Sequence, residues 1–402
     1  MQVSKSKSDR YVPSYGWTYV LSVLAGLGLA GLAVADSAMT LDPIEPSNGM
    51  KFGDLTVSPY LDVLYIYDSN YNRSKNGDKA ESVTLKPGFD FTYENEGPHK
   101  FSGTFWYLFE EYFDKKQTNS DQWREQLQYR YRSPHEVTFR VDQFLGTTTK
   151  NSPEGSVGYI DEDRTDYAIQ TALRYPISHK NAIELMAGVE NCDYKDELSS
   201  DRRAYPFDFD LAHRISEKTD LLLGAGYTIE ESKGPTGSFN SKAYRVMTGL
   251  GSAMTEKISY RAEIGAEGYE YGNGGSLEWG PYYRMQWAWL ASRKWIWRLV
   301  GTGKNQSAAE AGNYGPYYNG SLSAAYQMNR RMSLAASTTV QYNEYNKPKR
   351  NDQEVVCRLD YTYRLTKYAS LRLGTEASQK TSTDAANEYD RYRVDAGVNF
   401  RY

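Results

Sequence analysis

From about residue 57 to the end, the chain alternates apolar and polar residues with a period of two. In its last stretch Tyr392, Val394, Ala396, Val398, Phe400 and Tyr402 share one side of an extended backbone. Arg391, Arg393, Asp395, Gly397, Asn399 and Arg401 share the other. Successive side chains of a strand point to opposite faces, so the pattern predicts half-buried β-strands. Many runs reach ten residues, with Tyr and Trp at the ends of the apolar side. A soluble sandwich would use shorter runs, whereas tilted strands of about 9–11 residues with interfacial aromatics suit a membrane barrel.

Punctuation sets the strand count. Tight polar turns fall at 94–98, 133–135, 176–179, 213–217, 253–256, 291–293, 329–330 and 364–367. Longer polar segments fall at 70–82, 114–122, 146–163, 195–201, 231–240, 271–276, 304–312, 344–352 and 380–387. Eight hairpins give sixteen strands, and strands at 57–69 and 388–402 complete the set. The expected fold is all-β: an antiparallel transmembrane β-barrel of about 18 strands, within 16–18, with short periplasmic turns and longer extracellular loops. Closure follows from backbone chemistry, because an unpaired N–H or C=O in hydrocarbon costs several kcal/mol.

Ahead of the strands, Lys5, Lys7 and Arg10 precede an apolar run from Trp17 to Val34, and Ala33-Val34-Ala35 has the A-x-A form of a cleavage site. Residues 1–35 therefore read as a signal peptide, with a single membrane anchor as the alternative. Residues 36–56 form a short periplasmic segment, too small for a large plug, and 57–402 form the barrel.

Composition narrows the field. The 402 residues are 40% hydrophobic yet 14% aromatic, which argues against disorder and against a helical bundle in the membrane. Two cysteines, Cys192 and Cys357, exclude a disulfide scaffold, and their separation predicts no bridge. A net charge of −4 leaves no basic footprint for nucleic acid.

The two faces differ in chemistry. Trp287, Trp289, Trp295 and Trp297 flank one short turn on a single face, as an aromatic belt at the headgroup level would. An inward sugar-binding slide is the alternative. On the strand 123–132, Glu125, Leu127, Tyr129 and Tyr131 point outward, while Arg124, Gln126, Gln128, Arg130 and Arg132 point inward. Arg140, Arg174, Arg358, Arg364, Arg372, Arg391, Arg393 and Arg401 extend the inward set, interleaved near the C-terminus with Glu354, Asp360, Glu376 and Asp395. Glu184, Glu190, Asp208 and Asp210 lie inward with no basic partner in view, and the strands flanking 329–330 present neutral Ser, Thr, Asn and Gln. Unpaired charge cannot pack a dry core, and about eighteen strands are wide enough to hold water. The expected interior is a polar, water-filled lumen with uneven charge.

Catalytic chemistry finds little support. The four histidines, His99, His135, His179 and His213, fall in or beside the first four short turns, spread along one rim. No Ser/His/acid or HxxEH-type spacing occurs, so no enzyme, cofactor or metal is expected. Gly224-Ala225-Gly226 lies within a strand, where small residues relieve crowding.

The signal-like N-terminus, the Tyr-x-Leu-Thr-x-x-x-Ser-Leu-x-Leu hairpin from Tyr363 to Leu373, and the aromatic C-terminus together resemble the β-barrel porins of Gram-negative bacteria, in particular the porin-2-type family. Gly397, Phe400 and Tyr402 resemble the signal that barrel-assembly machinery reads in outer-membrane proteins. The resemblance implies an outer-membrane location among membrane lipids and lipopolysaccharide. It implies passive passage or polysaccharide-linked export. In general porins the loop in the place of 146–163 folds into the channel. By similarity, Glu154, Asp161, Glu162 and Asp163 are candidates for a constriction facing the arginines, with a solvated surface loop as the bland alternative. Three functions follow: a channel for small polar or anionic solutes, an exopolysaccharide export or surface-attachment barrel, and a non-conducting structural barrel or surface enzyme whose loops do the work.

Overall fold

A computed structural model describes residues 49–94, 97–114, 119–148, 163–195, 201–234, 237–252, 257–272, 275–307, 314–346 and 349–402. The expected signal peptide lies outside the described residues. Among them, a three-residue strand β1 (Met50–Phe52) precedes eighteen barrel strands. The barrel begins with β2 (Leu55–Asp68), β3 (Ala80–Glu94), β4 (His99–Tyr112), β5 (Ser120–Arg132), β6 (Thr138–Thr148) and β7 (Arg164–Pro176). It continues with β8 (Asn181–Tyr194), β9 (Asp201–Ser216), β10 (Thr219–Gly234), β11 (Gly237–Ser252), β12 (Ile258–Glu270) and β13 (Leu277–Ser292). It ends with β14 (Trp295–Ser307), β15 (Tyr314–Gln327), β16 (Met332–Asn346), β17 (Lys349–Arg364), β18 (Ala369–Ser382) and β19 (Tyr389–Arg401).

Each barrel strand pairs antiparallel with its sequence neighbours, and β19 returns to β2 with Arg393 opposite Asp68 and Arg401 opposite Tyr60. No barrel edge is left open, as a sheet in hydrocarbon requires. The eighteen-stranded antiparallel barrel read from the alternation is the fold observed.

The short turns have a repeated chemistry. After Ile177, Met328 and Leu365 comes a Ser, Asn or Thr whose side-chain oxygen accepts backbone N–H groups from the turn. Ser178 takes Lys180 and Asn181, Asn329 takes Arg331, and Thr366 takes Tyr368 and Ala369. These side chains satisfy donors that the ladder cannot reach.

Two expected loops are strand. Segments 231–240 and 344–352 are polar, yet β10 and β11 run to Gly234 and from Gly237, and β16 and β17 run to Asn346 and from Lys349. Apart from Phe239 and Tyr345, their described residues are polar or glycine on both faces, so alternation fades while the ladder continues. The first barrel strand also begins at Leu55, two residues before the expected start.

Candidate functional site, the barrel lumen

Side-chain burial separates the two faces. Ile264, Trp279, Tyr392 and Val394 are exposed on the outside, while polar residues of opposite parity are buried: Tyr392 is 64% exposed and the adjacent Arg393 only 4%. Trp287, Trp289, Trp295 and Trp297 lie on the outer face beside the β13–β14 turn, with Trp289 opposite Trp297 in register. Trp295 stacks on Tyr326 with ring centroids 4.3 Å apart. The inward-slide alternative does not match this placement.

Three of the four inward acids of β8 and β9, Glu184, Asp208 and Asp210, do have close basic partners, contrary to the sequence expectation. Arg261 of β12 reaches Glu184 of β8, Asp210 of β9 and Glu263 of its own strand, each at 2.6 Å. Arg284 holds Glu263 at 2.6 Å and approaches Asp208 at 3.5 Å. Arg245 holds Asp208 at 2.9 Å, and Arg174 bridges Glu184 and Asp220.

Glycine makes these long reaches possible. Gly226 on β10 stands in register between Asp208 on β9 and Arg245 on β11. A Cβ there would lie 2.3 Å from the Asp208 carboxylate and 2.7 Å from Arg245 Nε. Gly224 gives Asp210 the same clearance, with its virtual Cβ 2.0 Å from Asp210 Oδ1. The pair thus relieves crowding, as expected, and lets acids cross a whole strand.

The same device recurs near the seam. Asp395 of β19 passes over Gly374 of β18 to meet Arg358 of β17 at 2.9 Å. Arg358 also binds Asp360 and Glu376, and Arg372 binds Asp360 at 3.2 Å. Arg391 donates from Nε to both oxygens of Asp68 across the closing seam, at 3.0 and 2.9 Å. Many inward charges therefore face one another rather than water: Asp166, Glu263, Glu267, Asp352 and Asp395 are at most 1% exposed.

The wall of β4 to β6 is built differently. Arg124 stacks on Trp106 and Phe144, with its guanidinium 5.1 and 5.2 Å from the ring centroids. Lys86 of β3 lies 4.1 Å from the same Trp106 ring. Arg130 stands opposite Arg140 in register, and Arg140 pairs with Asp142, which also accepts Gln128 Nε2 at 2.6 Å. Gln126 points inward and is exposed, as is Arg132 nearer the turn, so solvent reaches this part of the inner face. On β15 and β16 the inward residues are neutral: Asn319 and Gln341 are buried, and Thr339 donates to Ser321 at 3.1 Å.

The remaining expected sites are scattered. Glu154, Asp161 and Glu162 lie outside the described residues. Asp163 sits at the loop-side rim, where its carboxylate is 4.0 Å from Lys195. Phe400 and Tyr402 are exposed, Tyr402 stacks on Tyr368, and Gly397 abuts the Val63 carbonyl on β2. His99 and His213 meet Tyr129 and Asn181 through Nδ1, and both cysteines are free thiols. Sequence reading passed over Arg202, Arg245, Arg261, Arg284 and Lys304, although each occupies an inward place in the period-two pattern.

Comparison with known proteins adds a sequence match. Residues 279–402, from β13 to the end, match the family described as "Putative beta-barrel porin 2". No curated protein matches the chain. Among solved structures, OccAB2 of Acinetobacter baumannii aligns over 87% of this chain and 99% of its own, at 9% identity and a TM-score of 0.45. OpdQ of Pseudomonas aeruginosa aligns over 87% and 99%, at 11% identity and 0.44. The FrpB iron transporter of Neisseria meningitidis aligns over 87% and 64%, at 12% identity and 0.42. The chain is a closed antiparallel barrel that resembles the outer-membrane β-barrel porins.

Proposed function

We propose that this protein is a channel in the outer membrane of a Gram-negative bacterium, passing small polar solutes, anions included, down their gradients. The observation that carries the reading is the closed eighteen-stranded barrel with an apolar exterior and a charged interior. Ion pairing neutralises most of the mesh on β8 to β13, whereas Arg132 of β5 is exposed on the inner face and lends the lumen its anion preference. Cations along a pore wall lower the cost of anion entry. On this reading the chain catalyses no reaction.

Conductance of the purified full chain in a planar bilayer is the test. Absence of any ion-conducting pore overturns the reading. Replacing Arg124, Arg130 and Arg132 together by Ser moves the reversal potential toward cations, and an unchanged potential removes them from the permeation path. The same basic wall also favours a second reading, export or surface attachment of an acidic polysaccharide. Blockade by acidic oligosaccharides but not by neutral ones supports that second reading.

A further inference from the structure

Near the loop-side ends of β7 to β14 the inner face borders a partly open pocket, whose roughly 830 Å³ of free space includes open solvent. Most charges around it are matched. Arg202 holds Glu230 at 3.1 Å, Arg245 holds Asp208 at 2.9 Å and approaches Glu267 at 3.6 Å, and Arg284 faces Asp208. Two are left over. Among the described residues, neither the Lys304 side chain of β14 nor the Glu190 side chain of β8 makes a hydrogen bond or a close ion pair, and both line the cavity. Glu190 lies within the electrostatic reach of Lys304, as do Glu267, Arg202 and Arg245. The buried rings of Tyr269 and Tyr282 complete the wall.

A partly desolvated charge without a partner is costly, and a ligand that supplies the opposite charge recovers that cost. A simple anion would satisfy Lys304 and add uncompensated charge beside Asp208, Glu230 and Glu267. A simple cation would satisfy Glu190 and crowd the arginines. A molecule carrying both charges a few bonds apart satisfies both residues and leaves the net charge unchanged. We propose that the cavity is a binding site for small zwitterions, α-amino acids or short peptides, with the ligand carboxylate at Lys304 and its ammonium at Glu190. The proposal rests on the channel reading for ligand access, and it names the solute class that the same lumen would favour.

The test uses the full chain in detergent, with glycylglycine, acetate and methylammonium as calorimetric probes. The expected result is that glycylglycine binds at least about tenfold more tightly than either singly charged probe, in line with one extra charge-assisted contact. Lys304→Met and Glu190→Gln each remove that advantage, and the exchanged pair K304E/E190K restores it. Equal binding of the three probes by the unaltered protein overturns the proposal whatever the variants do. So do single variants that bind glycylglycine unchanged. Conductance without selective binding defeats the zwitterion site and leaves the channel standing. Selective binding without conductance defeats the channel and leaves the site.

Discussion

Two parts of the inner face use arginine in opposite ways. On β8 to β13, Arg245, Arg261 and Arg284 are each gripped by carboxylates from other strands. On β4 to β6, Arg124 rests on aromatic rings and Arg130 stands opposite another arginine. The chain's near balance of acid and base hides this division. A charge in the mesh is a cross-brace that ties non-adjacent strands together, whereas on the wall Arg124 packs against two rings and Arg132 stands exposed on the inner face. The glycines on β10 decide which outcome the acids meet, because clearance over Gly226 is what lets Asp208 reach Arg245.

The largest expected effect tests that contrast directly. Arg261→Ala strips Asp210 of its close partner and leaves Glu184 and Glu263 with one arginine each. Breaking a buried ion pair by removing one partner typically costs about 3–5 kcal/mol. Exposed Arg132 braces nothing comparable, so Arg132→Ala stays within about 0.5 kcal/mol. Urea unfolding in detergent reads both. Equal losses would mean that the mesh is no more structural than the wall.

Next in size is the clearance itself. Gly226→Val puts methyl groups where the Asp208–Arg245 pair now lies, and overpacking of this kind costs about 1–3 kcal/mol. Gly320 serves as the control, since nothing stands within 4 Å of its virtual Cβ on the outer face of β15. Gly320→Val keeps or slightly raises the unfolding midpoint. A matching fall in both variants would trace the effect to strand glycines in general.

Trp106→Leu probes the other side of the comparison. It removes a ring that carries both Lys86 and Arg124. Cation–π contacts are worth about 0.5–1 kcal/mol each when exposed and more when desolvated. Stability falls modestly, and the freed cations move the reversal potential toward anions. A shift toward cations would show that the ring holds the cations at the permeation path.

How much of this is legible from residues alone follows a physical line. Period two gives the strands, their count and the face of each side chain, because those depend only on local backbone geometry. Arg245 between Tyr244 and Val246, and Arg261 between Tyr260 and Ala262, carry the same signal and could have been placed inward. The partners are another matter. Asp208 and Arg245 stand on strands separated by β10, and Arg261 and Glu184 are 77 positions apart. Only wall curvature and the missing side chain at Gly226 join the first pair. Polar strand ends such as Glu231 to Gly234 hide from the pattern because both of their faces are polar.

Salt gives the smallest and sharpest separation. The mesh pairs are short and largely dry: the Arg284 and Glu263 side chains are 9% and 1% exposed at a separation of 2.6 Å. No mobile ion fits between such groups, so screening barely reaches them. On the wall, Gln126 and Arg132 are open to solvent, and the field there acts on ions in water. The Debye length falls from about 10 Å at 0.1 M to about 3 Å at 1 M ionic strength, so wall charges act at a distance only in dilute salt. Anion preference, read from reversal potentials, therefore declines steeply over that range, while the unfolding midpoint in detergent shifts little. If stability instead fell in step with selectivity, the mesh would be wet and screened like the wall, and the division between brace and field would fail.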